Sequence, residues 1–217
     1  MIAPFIRPRT VTVVIPLYNY GQFVVDALES VRGQTFTDWN CWVVDDASTD
    51  DGPEVAVEWI VRTENASLDF SYVQLPENGG TAAARNKGVE MSASSGSRWI
   101  VPLDADDMLA PEFLSRCLAA AERENADWVY TDLWVFKGAH GAHHDGQREN
   151  GVPPGMVSRS ALEEAGGYDG ALREKEDRDL SVRLAVPFRS LYLREPLYRR
   201  RYGHDSKTAR RRARGEA

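Results

Sequence analysis

The chain is poor in cysteine and histidine, with two and four in 217 residues, and it has no apolar run near the roughly 20 residues that a helix needs to cross a bilayer. Cys41 lies in an apolar run and Cys117 in a helical pattern, too few for the disulfide frame of a small secreted domain, so both are expected as buried thiols. The start, MIAPFIRPRTV, lacks the apolar core of a secretory signal, which sets the expectation of a cytoplasmic protein. Missing too are the ordered glycines of GxGxxG and of GxxxxGK[ST], which counts against a dinucleotide-dependent dehydrogenase or an ATPase. There is no internal repeat, and low complexity is confined to the last, Arg-rich residues.

What the chain does have is 42% hydrophobic and 27% charged residues, the balance of a globule with one sizeable core. Its formal charge is −7, but the sign is unevenly spread. From Arg194 onward Arg199, Arg200, Arg201, Lys207, Arg210, Arg211, Arg212 and Arg214 outnumber Glu195, Asp205 and Glu216. An acidic body with a basic tail results.

Along the body, short β-branched runs alternate with helical spacing. VTVVIPL at Val11–Leu17 reads as a strand buried on both faces. A helix follows from Gly21 to about Gly33, with Val24, Leu28 and Val31 on its apolar stripe. The rhythm repeats with a strand at Cys41–Val44, a helix from Pro53, a strand at Tyr72–Leu75, a helix at Thr81–Met91 and a strand at Trp99–Leu103. Such alternation predicts an α/β fold with a mostly parallel central sheet flanked by helices. Further on, the spacing predicts a helix from Pro111, a strand at Trp128–Phe136, helices at Ser158–Ala165 and Glu176–Ala185, and a last strand at Phe188–Leu193. Lys137–Pro154, rich in Gly and His, reads as a long binding loop. The histidines in it (His140, His143, His144) have no matching Cys or carboxylate spacing for a metal site.

Ligands of open α/β sheets bind beyond the carboxyl ends of the strands, and the polar residues cluster there. Tyr18-Asn19 follows the first strand, Asp45 to Asp50 the second, Asn78-Gly79-Gly80 the third and Asp104-Ala105-Asp106-Asp107 the fourth. Carboxylates crowded at the end of a buried strand repel unless a cation joins them, and Mg²⁺ or Mn²⁺ takes oxygen ligands; the same residues would also serve as acidic caps to the helix at Pro111. Asp45 to Asp50 has the composition of a turn. The Asn78-Gly79-Gly80 loop, opening a helix with Arg85 one turn in, could bring backbone N–H groups to an anion. Glu174, Glu176, Asp177 and Asp179 stand at a helix start among Arg173, Lys175 and Arg178, as a salt-bridged first turn or as functional carboxylates.

Taken in order, VTVVIPLYNYGQFVVDALESVRGQT, WVVDDASTDDG, LPENGGTAAARNKGVE, WIVPLDADDMLAPEFL and GGYDGALREKEDRDLSVRLA resemble the family 2 glycosyltransferases of the GT-A fold. The resemblance implies a single GT-A domain, Rossmann-like, over residues 1–203, with a nucleotide-sugar half at about 10–107, a smaller acceptor-side half at about 108–203, and a basic tail at 204–217. By position, Pro16, Tyr18 and Asn19 match the first nucleotide-contacting loop, and Asp46 the aspartate that hydrogen-bonds the base. Asn78 and Gly79 fall in the donor loop, and Arg85 and Asn86 match the ARN element near the phosphates. Asp104, Ala105 and Asp106 match the DxD motif, with Asp106 as the metal contact and Asp104 nearer the sugar. Asp177, paired with Glu176, matches the proposed catalytic base, and His204 in the terminal stretch could approach the metal. Arg201 could pair with a phosphate there.

These matches imply an inverting, metal-assisted transfer, with Mn²⁺ or Mg²⁺, from a nucleotide-diphosphate sugar, most simply a UDP-sugar, to an acceptor hydroxyl of a glycan, a lipid-linked molecule or another compound. Two other classes compete: a sugar-nucleotide-binding protein that has lost transfer, and a nucleotidyltransferase, although no basic Gly-rich triphosphate loop follows the first strand. Arg178 stands where the family commonly has an aromatic residue, which favours contact with an anionic acceptor over stacking. The basic tail could touch anionic lipid, and nucleic acid is the less expected partner.

Overall fold

In the computed structural model, which describes residues 9–63, 70–138, 147–149 and 155–203, the run Val11–Leu17 forms the central strand β1. Around it the first half follows the predicted rhythm: α1 (Gly21–Arg32), β2 (Trp39–Asp45), α2 (Gly52–Arg62), β3 (Phe70–Gln74), α3 (Thr81–Ser92) and β4 (Trp99–Pro102). The second half adds β5 (Met108–Leu109), α4 (Phe113–Glu124), β6 (Trp128–Lys137), β7 (Gln147–Glu149), β8 (Met156–Ser158), α5 (Arg159–Glu164), α6 (Glu176–Ala185) and β9 (Ser190–Tyr202). One sheet runs in the order β3-β2-β1-β4-β8-β6-β9-β5, with β7 hydrogen-bonded to β6.

β1 to β4 are parallel, so their carboxyl ends share one rim. Beyond β4 the sheet is mixed: β8 is antiparallel to both β4 and β6, while β9 runs parallel to β6. The expected parallel sheet is thus unbroken from β1 to β4, and past β4 short antiparallel pairings join the long parallel pair of β6 and β9. Alternation of side chains sorts the core into two layers. Val11, Val13, Ile15 and Leu17 pack under α1, α2 and α4, whereas Val14, Trp42, Val44 and Ile100 meet α3, α5 and α6. Cys41 and Cys117 are buried and unpaired, as expected. No helix among the described residues is long and apolar enough to cross a membrane.

Three boundaries differ from the sequence pattern. Pro111 lies outside α4, in a turn closed by the Phe113 N–H on the Ala110 carbonyl at 3.0 Å. The segment expected as one long loop contains β7, paired with β6 from Leu133 to Val135; its residues 139–146 and 150–154 lie outside the described set. Finally, β9 continues past Leu193 to Tyr202, because irregular pairing around Asp132 and Pro196 absorbs the proline and the strand then resumes.

Close packing of α3 on β1 depends on Gly88, where an added Cβ would lie 2.2 Å from Cγ1 of the buried, β-branched Val14. Gly88→Ala is expected to lower stability by about 1–3 kcal/mol through overpacking. Urea unfolding followed by tryptophan fluorescence measures it, and an unchanged midpoint would show that α3 is free to shift.

Candidate active site

α3 begins after Gly80, whose φ of 87° suits glycine, and it carries Arg85 inward one turn later. The Arg85 side chain is only 1% exposed and is ringed by acids: Nη2 donates to Asp104 Oδ1 at 2.6 Å, and Nη1 to Asp177 Oδ1 at 2.5 Å and Glu176 Oε1 at 3.2 Å. The Tyr168 ring lies 5.2 Å from the guanidinium carbon. Burial works against the charge on Arg85, but Asp177, Asp104 and Glu176 hold its pKa above the ordinary value. Thus the first aspartate of the DAD tripeptide and the Glu176-Asp177 pair, distant in sequence, meet on one cation.

Asp177 enters from the first turn of α6, which follows Lys175 in a left-handed conformation, φ 65°. Its carboxyl is raised to about 6, chiefly by burial and further by Asp104 and Glu176, against the opposing pull of Arg85. That value suits a group that takes up a proton near neutrality.

Asp104, Asp106 and Asp107 bring one carboxylate oxygen each within 4.8 Å of one another, the one such acidic group among the described residues. Asp104 and Asp106 are partly exposed, while Asp107 is buried. Asp107 accepts the Arg201 backbone N–H at 2.8 Å and a hydrogen bond from the Tyr198 hydroxyl, and that hydroxyl accepts the Asp104 N–H at 3.2 Å. Burial, with Asp106 and Asp104 close by, raises the Asp107 pKa well above the usual carboxylate range. Three carboxylate oxygens at this spacing have the donor chemistry that a hard divalent cation such as Mn²⁺ or Mg²⁺ takes.

The remaining sequence-selected residues build the loops around this centre. Asp46 accepts the N–H of Gly79 at 2.7 Å and of Gly80 at 2.8 Å, one on each oxygen, and its carbonyl accepts from Asn78 Nδ2 at 3.1 Å. The Asn19 carboxamide accepts the Thr49 N–H at 2.8 Å, and its backbone N–H reaches Ser48 Oγ at 3.0 Å. Two loops are so laced at the rim, with Tyr18 41% exposed beside them, Pro16 partly buried in β1 and Ala105 buried behind the acids.

Asn86 does something the sequence did not suggest. Its amide exchanges two hydrogen bonds with the Tyr168 backbone, at 2.7 and 2.9 Å, and so holds the turn that lays Tyr168 over Arg85. Arg201, read as a phosphate partner, is buried instead and pairs with Asp26 at 2.6 Å. His204 lies outside the described residues. Arg173, which the pattern showed only as one charge among many, reaches the Asn78 side chain at 3.3 Å.

Beside α6, Trp128, Tyr168, Asp177, Leu180 and Ser181 line a small cleft. Trp128, Tyr130 and Tyr192 form a column with ring centroids 4.9 and 5.1 Å apart, capped by Arg194 at 5.9 Å. Tyr130 is thereby packed between the Trp128 and Tyr192 rings.

With this geometry in place, the profile described as Glycosyl transferase family 2 matches residues 12–200. The chain belongs to glycosyl transferase family 2. Among curated relatives, this family 2 chain is 32% identical over 121 residues to the putative teichuronic acid biosynthesis glycosyltransferase TuaG of Bacillus subtilis, a match covering 56% of the chain and 45% of TuaG. It is 24% identical over 131 residues to the glycosyltransferase GlyG of Streptococcus pneumoniae, covering 60% and 41%. These matches span less than half the length of either relative.

The fold of this family 2 chain is that of GT-A glycosyltransferases. The S. aureus TarS 1–349 structure in complex with UDP-GlcNAc superposes with a TM-score of 0.75 at 19% identity, over 92% of this chain and 60% of that one. The Pyrobaculum calidifontis mannosyltransferase PcManGT, in complex with GDP-Man and Mn²⁺, gives 0.73 at 20% identity, over 97% and 62%.

Arg85→Met leaves Asp104, Glu176 and Asp177 facing one another without their cation. Stability at pH 8 is expected to fall by about 3–5 kcal/mol, and by less at pH 5, where protonation of Asp177 relieves the repulsion. Chemical denaturation at the two pH values reads the difference; an equal loss at both would separate the arginine's role from charge.

Proposed function

We propose that this family 2 chain transfers a sugar from a nucleotide-diphosphate donor, a UDP-sugar, to an acceptor hydroxyl with inversion at the anomeric carbon. The observation that carries the reading is the junction at Arg85, which sets the acidic cation site and the Glu176-Asp177 pair on two sides of one buried group. Solved relatives of the same fold support it: TarS structures are described in complex with UDP and UDP-GlcNAc, and PcManGT with GDP-Man and Mn²⁺.

On this reading Asp104 and Asp106, with Asp107 behind them, hold Mn²⁺ or Mg²⁺, which when bound supplies positive charge for the departing diphosphate. Asp46 acts on the nucleotide by fixing the Asn78–Gly80 loop on which the base rests, beside Tyr18, Asn19 and Pro16. Asp177 accepts the acceptor's proton as the hydroxyl oxygen bonds to the anomeric carbon and the bond to the diphosphate breaks; the nucleoside diphosphate leaves from the opposite face. Glu176, nearly buried beside Arg85, raises the basicity of Asp177 by its charge. Arg85 holds Asp104 and Asp177 at fixed separation, and Asn86 secures Tyr168 beneath it. The acceptor, a glycan, a lipid-linked molecule or another hydroxyl compound, enters along the cleft beside Trp128.

Asp106→Asn and Asp177→Asn are each expected to reduce turnover of UDP-sugars by at least about 10²-fold with melting temperatures near that of the parent. Asp106→Asn also loses Mn²⁺-dependent UDP binding by calorimetry, and Asp177→Asn keeps it. Full activity in either variant refutes its role, and metal-dependent UDP binding without any turnover in the parent would favour a binding protein.

The base must be ionised to act, so its elevated pKa places the acid limb of the kcat/KM profile near pH 6. Below that, the rate should drop about tenfold per pH unit. A flat profile between pH 5 and pH 7 would remove Asp177 as the base.

A further inference from the structure

Arg201, near the end of β9, reaches the loop that carries the acids, which leads into the neighbouring strand β5. Its side chain is 1% exposed, and every nitrogen of the guanidinium is engaged: Nη2 with Asp26 Oδ2 of α1 at 2.6 Å, Nε with the Asp106 carbonyl at 2.9 Å, and Nη1 with the Gly138 carbonyl. Phe23 and Phe136 lie on it, with ring centroids 4.7 and 4.8 Å from the guanidinium carbon. The same residue's backbone N–H holds the Asp107 carboxylate. One residue thus fixes the main chain of Asp106 and the side chain of Asp107, the second and third members of the acidic cluster.

We infer that Arg201 is a positioning residue for the cation site, setting how the Asp106 and Asp107 oxygens converge without touching the cation or substrate itself. Three features separate this role from ordinary core packing. The guanidinium sits between two aromatic faces, which suit a flat, delocalised cation and not an ammonium. The fork divides its donors between Asp26, two main-chain carbonyls and no phosphate-facing surface. Its Asp106 contact is made to the main-chain carbonyl and not to that residue's carboxylate. Residues that orient ligands from behind affect metal affinity directly.

The inference rests on the cation reading of the acidic cluster, and the test separates the two. Mn²⁺ binding is titrated by electron paramagnetic resonance of the free ion in the presence of UDP, and UDP binding without metal is measured beside it. Arg201→Lys keeps the charge opposite Asp26 but loses the fork; it is expected to weaken Mn²⁺ binding about tenfold or more while metal-free UDP affinity stays within about twofold. Phe23→Leu removes one face of the sandwich and keeps every donor; an intermediate loss, about threefold, is expected, and this variant carries the test should Arg201→Lys fail to fold. Parental Mn²⁺ affinity in either folded variant, or a parallel fall in metal-free UDP binding, overturns the inference. Asp106→Asn serves as the control: if it binds Mn²⁺ like the parent, the cation site itself is misassigned, whatever Arg201 does.

Discussion

A single buried guanidinium faces three carboxylates drawn from two distant parts of the chain, and the candidate site depends on that contact. Arg85 offsets the cost of its burial chiefly through Asp177 and Asp104, with Tyr168 and Glu176 adding to them, so the loop after β4 and the first turn of α6 must meet where α3 places it. The acids outnumber the cation, and burial, with Asp104 and Glu176 beside it, lifts the Asp177 carboxyl toward neutrality. On the proposed function, attraction for a divalent ion and the readiness of Asp177 to take a proton both draw on this excess of acid.

The supports of this contact are arranged in tiers. Gly88 lets α3 lie close on β1; Asn86, one residue from Arg85, clamps the Tyr168 turn; Tyr168 closes over the guanidinium. On the other side, Tyr198 and Arg201 of β9 hold Asp104 and Asp107 from below. Strand β9, which lies between β6 and β5, is thereby a member of the sheet and a foundation for the acids at once, and its irregular stretch around Pro196 lets one strand do both.

The parallel half was legible because β-branched runs ending in Asp, Asn and Gly have few other uses, and the Asp104–Asp107 crowd announced itself by charge alone. The grouping of Asp104 with Asp177 came through resemblance and not through spacing, since nothing in the intervening residues encodes a contact that long. Asn86 and Arg201 could not be read for a different reason. An amide or a guanidinium has the same one-letter code whether it faces a ligand or a main-chain carbonyl, and only packing decides. Arg201 sits in a run of arginines that looks solvated, yet Phe23 and Phe136 come from elements more than a hundred residues apart in sequence to enclose it. Likewise the last strand is expected to end at Leu193, because the irregularity in β6 that accommodates Pro196 is invisible locally.

The pin between Asp26 and Arg201 joins positions 175 residues apart, which has a consequence for biosynthesis. Emerging from a ribosome, the chain presents β1 to β4 and the acidic loop well before the strand that steadies that loop. Until β9 docks, Arg85 can already hold Asp104, but the Asp107 carboxylate and the Asp106 main chain lack their Arg201 contacts; on the proposed cation reading, capture of the ion is then coupled to completion of the sheet.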